Sequence, residues 1–293
     1  MSDSKPLNLA DLDLSISPDL IVRADAAHVL ERIPEESIDL IYIDPPFNTG
    51  SMQRLSSIKA RQDVNSVREG FGGRTYKTTL VSSHSYKDSF GDYLGFLCPL
   101  LERSRGLLSR TGTLYVHLDY REVHYIKVEL DKIFGRSNFM NEIIWAYDFG
   151  GRSKSRWPAK HDTILVYAKE LGNQIFNYED IERIPYMAPG LVTKEKAARG
   201  KIPTDVWWHT IVHTAGTERT GYPNQKPEAI LRRIIEASSN PGSWVLDFFA
   251  GSGTTAFVSQ QLGRRFIAVD SNPEAIKIIT NRIDMANVVE VAY

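Results

Sequence analysis

Asp44-Pro45-Pro46-Phe47 stands directly after the apolar run Ile38-Asp-Leu-Ile-Tyr-Ile43. The order sets a carboxylate, a diproline corner and an aromatic ring side by side where a strand must stop. Two prolines fix φ and remove two backbone donors, so the corner cannot continue as helix or central strand. Pro45 also biases Asp44 toward an extended conformation. The Asp44 carboxylate and the Pro45 carbonyl then become acceptors aimed at one point, with the flat face of Phe47 beside them. Two acceptors and a stacking plane suit an exocyclic amino group on a planar base. A plain strand-ending turn uses the same residue types, so the rest of the chain has to decide between them.

A second constellation lies far along the sequence. Asp247-Phe-Phe-Ala-Gly251-Ser-Gly253-Thr-Thr255 joins an apolar run to a helix-forming segment, and Asp270 follows at the end of the next apolar run. Glycines there let the backbone turn tightly and approach a ligand, and an acid about 20 residues on holds ribose hydroxyls in nucleotide-binding folds. The pattern therefore points to an adenosine-bearing ligand. A phosphate-binding P-loop is excluded, because no lysine follows Gly253. The dinucleotide fingerprint tolerates Ala256 in place of its third glycine, so NAD stays open on this loop alone. A dehydrogenase leaves Asp44-Pro-Pro-Phe47 unexplained. S-adenosylmethionine accounts for both segments, with its ribose on Asp270 and its methyl directed toward an amine held by Asp44.

The elements that must position these residues are legible from periodicity. Strands are predicted at residues 20–23, 38–43, 113–118, 143–147, 163–167, 244–249 and 266–269. Helices are predicted at 26–33, 92–108, 121–134 and 227–238, after 253, and from the Asn272-Pro273 cap. Alternating strands and helices predict an α/β fold with a doubly wound, mostly parallel, seven-stranded Rossmann-like sheet. Residues 1–19 read as a loosely ordered lead-in, with Thr111-Gly112 as a turn. Residues 20–146 form one half of the sheet domain, interrupted by a 48–90 insertion loop. Residues 147–214 form an inserted recognition region, and residues 215–293 form the second half. Basic residues gather in two places: Arg54, Lys59, Arg61, Arg68, Arg74, Lys77 and Lys87 in the loop, and Arg152, Lys154, Arg156 and Lys160 around Trp157. Such patches neutralise phosphates, although the net charge of −1 gives no global sign of a polyanionic partner.

The single cysteine, Cys98, rules out an internal disulfide and is expected as a buried structural thiol in a reducing, cytoplasmic setting. The chain contains no apolar run of the ~20 residues that span a bilayer, and no membrane partner is expected. His117 with Asp119, and His209 with His213, lack the partners of a zinc site and are expected to be structural; no metal is expected.

Six segments, in order, carry a resemblance. They are Asp25 before its short helix, Asp44-Pro-Pro-Phe-Asn48, Thr113-Leu-Tyr-Val-His-Leu-Asp119, Asn141-Glu-Ile-Ile-Trp145, Arg219-Thr-Gly-Tyr-Pro-Asn-Gln-Lys-Pro227 and Asp247 to Thr255. Together they resemble the amino-group DNA methyltransferases of the beta class, in which the catalytic motif precedes the cofactor motif, over nearly the whole chain. The resemblance implies S-adenosylmethionine as cofactor and double-stranded DNA as substrate, with base flipping and direct in-line transfer of the methyl group. It implies Asp44, Pro45, Pro46 and Phe47 as the catalytic corner and Asp25 on the cofactor's adenine. Asp270 falls on the ribose, and Gly251, Gly253 and Thr254 on the methionine portion. Asp247 is placed at the cofactor's amino group and Lys226 at its carboxylate, with Phe249 and Thr255 in the same cofactor set. Most relatives carry tyrosine where this chain has Phe47, so the phenolic hydroxyl is dispensable here and stacking remains. An acid at the head of the motif is more typical of adenine-N6 than of cytosine-N4 enzymes, which often begin with serine. A second copy of the chain and a cognate restriction endonuclease are the further partners that the resemblance raises.

Overall fold

The apolar strand β2 (Ile38–Ile43) is buried on both faces, as its near-continuous hydrophobic sequence requires. In the computed structural model, which describes residues 12–62, 76–213 and 216–292 and the side chains outside 51–87, it lies at the centre of a nine-stranded sheet. The other strands of that sheet are β1 (Asp19–Arg23), β5 (Leu108–Leu118), β6 (Phe139–Ala146), β7 (His161–Ala168), β8 (Val206–Trp208), β9 (Trp244–Asp247), β10 (Arg265–Asp270) and β11 (Val288–Ala292). Their order is β11-β1-β10-β9-β2-β5-β7-β6-β8. The first six are mutually parallel, and β7 runs antiparallel to both neighbours.

The expected count of seven strands is corrected to nine by β8 and β11. One is only three residues long and the other lies at the sheet edge, so neither has enough buried periodicity to announce itself. Residues 147–214, expected as an inserted recognition region, contribute β7 and β8, which extend the main sheet beyond β5. Residues 51–88, expected as loop, contain the antiparallel pair β3 (Ser51–Gln62) and β4 (Tyr76–Asp88). Their largely polar sequence offers no apolar alternation to read. Of the basic residues named there, Arg68 and Arg74 lie outside the described residues.

Helices α1 (Ala26–Leu30), α2 (Tyr93–Leu107) and α3 (Val123–Phe134) cover one face, packing Leu30, Leu97, Leu101 and Ile126 against Ile41, Ile43 and Val116. Helices α5 (Glu228–Ser238), α6 (Thr254–Gln261) and α7 (Pro273–Arg282) cover the other. There Ile230 and Ile234 meet Leu40, Tyr42 and Val245, while Ile276 and Ile279 meet Ile21 and Phe266. The short α4 (Lys194–Arg199) buries no residue. Among the described residues no helix is long and apolar enough to cross a membrane.

Four local expectations change. Residues 12–18 belong to the fold: Leu12 and Leu14 are buried, and Trp244 donates to the Leu14 carbonyl at 3.2 Å. Helix α1 stops at Leu30 rather than residue 33. Gly112 lies inside β5, not in a turn; a Cβ there would sit 2.8 Å from Leu108 Cδ2 and 3.0 Å from the Ile38 carbonyl oxygen. Cys98 is half-buried, because Leu97 and Leu101 occupy the stripe of α2 that meets the sheet.

The turn from β9 into α6 depends on Gly253, at φ +71°, where a Cβ would lie 2.6 Å from Ile279 Cγ1 of α7. Gly253→Ala combines left-handed backbone strain with overpacking and is expected to destabilise the protein by about 3 kcal/mol. The shift in the urea midpoint at unchanged slope measures it.

Candidate active site

Four adjacent parallel strands, β1, β10, β9 and β2, end at or beside Asp25, Asp270, Asp247 and Asp44 respectively. Neighbouring strands are ~4.8 Å apart, so the four carboxylates spread over about 14 Å of one sheet edge. This edge includes the boundary between β9 and β2. From there the chain runs outward in opposite directions, to β10 on one side and β5 on the other. Ligands of open α/β sheets bind at such a reversal.

Each carboxylate is fixed by its own backbone. Asp25 caps α1, accepting from Ala27 N at 2.9 Å. Asp270 accepts from Gly251 N and Asn272 N, both at 2.8 Å. Asp247 is buried, accepting from Thr255 Oγ1 at 2.6 Å and Phe249 N at 3.0 Å. Burial pushes the Asp247 carboxyl up to about 7 against those hydrogen bonds, and the charges of Asp44 and Asp270 add to the rise. Burial also raises Asp270.

Asn48 and Asp88 staple the corner that carries Asp44 and Phe47. Asn48, at φ 53°, donates its backbone N–H to Asp88 Oδ1 at 2.8 Å, and its side chain accepts from Phe90 N at 2.9 Å. Thr49 Oγ1 donates to Asp88 Oδ2 at 2.6 Å. The β3–β4 ribbon thus leaves and rejoins the site at one point. Pro45 is buried and Phe47 half-buried. Asp44 pairs through Oδ2 with Lys226, while its Oδ1 is buried and without a hydrogen-bond partner.

The segment from Arg219 to Pro227 bridges the two halves of the site. Gln225 folds it by accepting from Thr220 N at 2.8 Å and donating to the Glu218 carbonyl at 2.7 Å. Its Tyr222 ring lies 3.2 Å from where a Cβ on Gly251 would stand, so glycine is what lets the ring approach the loop.

Two cavities meet here. The first, of 310 Å³, contains all of the expected site residues except Gly253; Gly253 is buried beneath the loop against Ile279. It is lined by five aspartates (Asp25, Asp44, Asp88, Asp247, Asp270) and, among the described residues, by Lys226 as the one lysine or arginine. Such a wall attracts a cation and repels a pyrophosphate. Moreover, the Gly251 N–H that would face a dinucleotide's phosphates is bonded to Asp270. Both observations disfavour NAD and fit a sulfonium ligand carrying an ammonium group.

The second cavity, of 810 Å³, has the opposite character. Arg121, Arg152, Arg156 and Arg219 line it together with Trp145, Tyr147 and Phe149, against the carboxylates of Asp119 and Asp162. Phe47, Thr49, Lys226 and the Tyr222–Gln225 stretch belong to both cavities and form their common wall.

Several functional neighbours had no signal in the sequence. Asp88 lies 44 residues from Asp44 in the chain and is placed only by the ribbon. His117 pairs with Asp162 rather than Asp119: its Nε2 is 3.2 Å from Asp162 Oδ2 and its Nδ1 2.9 Å from Tyr42 Oη. The ring is fully buried, 6.0 Å from that of Phe47. With Asp162 ionised, held below the usual carboxylate range by His117 despite burial, Nε2 donates to Asp162 and Nδ1 pairs with the Tyr42 hydroxyl. Asp119 instead pairs with Arg121. His209 lies on a third cavity away from the corner.

Comparisons with known proteins identify the family. A family model described as DNA methylase (N6_N4_Mtase) matches residues 38–281. DNA adenine methyltransferase YhdJ of Escherichia coli (strain K12) is 31% identical over 275 residues, covering 91% of this chain and 83% of the relative. Type II methyltransferase M.HpaI of Haemophilus parainfluenzae is 33% identical over 264 residues, covering 90% and 74%. The crystal structure of the M1.HpyAVI–SAM complex superposes with a TM-score of 0.57 at 21% identity, covering 90% of this chain and 98% of that one. By the family match and the two relatives, the chain belongs to the DNA methylases, the family its six segments resemble.

Proposed function

We propose that the protein transfers a methyl group from S-adenosylmethionine to the N6 amino group of adenine in a specific sequence of double-stranded DNA. The observation that carries this reading is the meeting of an anionic and a cationic, aromatic cavity at Phe47 and Lys226, beside Asp44, whose Oδ1 is left unpartnered.

The cofactor, when bound, supplies a methyl group made electrophilic by its sulfonium. Asp270 and Asp25 receive the nucleoside end, as their places along the strand edge favour. Asp247 receives the amino group, and Gly251, Thr254, Thr255 and Phe249 shape the wall along the methionine portion, with Gly253 setting the turn beneath it. On the other side, a flipped adenine enters the larger cavity and stacks on Phe47. Its amino group donates to Asp44 Oδ1 and to the Pro45 carbonyl. These two bonds favour a pyramidal nitrogen whose lone pair is no longer delocalised into the ring. In-line attack would form the N–C bond as the C–S bond breaks, the sulfur leaving as a neutral thioether. Asp44, whose Oδ1 accepts from the amine, would be placed to take the proton that the methylated nitrogen sheds. Holding both reactants across one wall supplies much of the rate.

Outside the cavity, Trp157 is 95% exposed between Arg156 and Pro158. Together with Arg152 and Lys154 it presents a ring and cations to the DNA backbone.

Nucleoside analysis of DNA from cells with and without the protein tests the assignment. N6-methyladenine is expected; N4-methylcytosine alone would move the target to cytosine, and no modified base would remove the reading. Asp44→Ala should abolish methyl transfer with cofactor binding still measurable by calorimetry, and Phe47→Trp should keep more activity than Phe47→Ala.

The Asp247 carboxyl titrates near 7 in the folded protein against 3.8 ordinarily. The folded state without ligand thus favours the protonated form, and that contribution is full below pH 3.8 and lost as pH rises through about 7. A bound ammonium favours the ionised form, so cofactor affinity should climb with pH up to about 7 and then level. Asp247→Asn should flatten that profile in calorimetric titrations and raise the melting temperature of the free protein at pH 8.

Replacing Arg152 and Arg156 together by alanine should weaken DNA binding across sequences and reduce the slope of log K against log salt by about 2. An unchanged slope in fluorescence titrations would place the DNA elsewhere.

A further inference from the structure

Lys226 occupies a site that ordinary lysines avoid. Its side chain is 8% exposed, and a buried ammonium requires charged or polar partners. Those partners are all on the catalytic side. Nζ pairs with Asp44 Oδ2, lies 5.0 Å from the centre of the Phe47 ring and is 3.4 Å from the Asn224 carbonyl oxygen. Of its three donor directions, Asp44 and the Asn224 carbonyl take two, and the Phe47 face lies within cation–π range.

The backbone that delivers Lys226 is itself fixed. Gln225 is tied to Thr220 and Glu218, and the Lys226 carbonyl accepts from Thr254 Oγ1 at 3.2 Å, at the start of α6. Glu228 N, two residues on, donates to Glu218 Oε2 at 2.9 Å. The ammonium is thus placed by a folded segment rather than by a free side chain finding the nearest acid.

Its effect on Asp44 follows. The terminal torsion of an aspartate is broad, so an unheld carboxylate can present either oxygen or rotate both away. With Oδ2 anchored, Oδ1 is the oxygen left buried and unpartnered. The positive charge also offsets repulsion between Asp44 and Asp247, which share the cavity wall. The same ammonium faces Phe47, so one side chain fixes both the acceptor and the stacking plane.

We infer that Lys226 is a positioning residue for methyl transfer: by anchoring Asp44 Oδ2 beside Phe47, it leaves Oδ1 as a fixed acceptor for the target amine. This rests on the proposed role of Asp44 in accepting that amine. It departs from the role that the family resemblance implies, in which the ammonium serves the cofactor's carboxylate.

The two roles separate in kinetics. With wild-type protein, S-adenosylmethionine and a duplex carrying the methylated site found by sequencing, kcat, the DNA KM and the cofactor Kd are measured for Lys226→Met, Lys226→Arg, Asp44→Asn and the Lys226→Met/Asp44→Asn pair. Anchoring predicts that Lys226→Met lowers kcat about a hundredfold while the cofactor Kd stays within about threefold, and that Lys226→Arg recovers part of the loss. The pair should be no slower than Asp44→Asn alone, since the two changes remove one interaction. If Lys226→Met does not fold, Lys226→Gln is measured instead. It keeps a neutral donor for Oδ2, so anchoring predicts a smaller loss of kcat at unchanged cofactor Kd, and a raised Kd at retained kcat overturns the inference in the same way. A cofactor Kd raised about tenfold or more with kcat retained at saturation would overturn the inference in favour of a cofactor ligand. Additive losses in the pair would overturn it as well. A wild-type protein without methyl transfer would instead remove the proposed function on which the inference stands.

Discussion

Parallel pairing of β1, β10, β9 and β2 is the constraint on which the rest depends. A parallel sheet sends all its carboxyl ends to one side, so residues that follow those strands share an edge whatever their separation in sequence. Asp25 and Asp270 lie 245 positions apart in the chain, yet they end adjacent strands whose register sets Arg23 beside Asp270. The pairing is held by the two apolar faces of the sheet, each covered by helices, and a register slip would cost burial on both. Catalytic geometry is in this sense a by-product of core packing.

Several carboxylates on one edge are an electrostatic liability that the fold meets by three devices. Backbone N–H groups satisfy Asp25 and Asp270, the Thr255 hydroxyl and a backbone N–H satisfy Asp247, and an ammonium pairs with Asp44. What remains is an excess of negative charge in the smaller cavity and of positive charge in the larger one. Under the proposed function that difference would sort ligands before any shape is considered, a cationic cofactor on one side and a polyanion on the other. The common wall of Phe47, Lys226 and Tyr222 is where the two ligands would meet.

The segment 219–227 shows how a sequence motif acquires meaning from its surroundings. Its glycine, proline and amide residues read as a loop, and its lysine as a side chain bound for solvent or cofactor. In the fold, Gln225 closes the loop on itself, Tyr222 fills the space left by the absent Cβ of Gly251, and Lys226 turns to Asp44. Each contact joins parts of the chain that periodicity cannot relate.

By itself, the sequence determined the α/β class, the central strand before Asp44, the diproline corner, the glycine turn after Asp247 and the Asn272-Pro273 helix start. These depend on local rules: φ locked by proline, left-handed backbone allowed by glycine, burial read from runs of apolar residues. It also supplied four aspartates that the fold brings to one cavity, because each ends a readable strand. It did not determine β8 and β11, which are short or lie at the edge, or the β3–β4 ribbon, whose sequence carries no clear apolar alternation. Nor did it yield Asp88 on Asn48, Asp162 on His117 or Lys226 on Asp44, because a partner for a buried polar group is chosen by whatever the folded chain brings within hydrogen-bond reach. Tertiary structure alone decided those pairings, and with them the opposite charge of the two cavities.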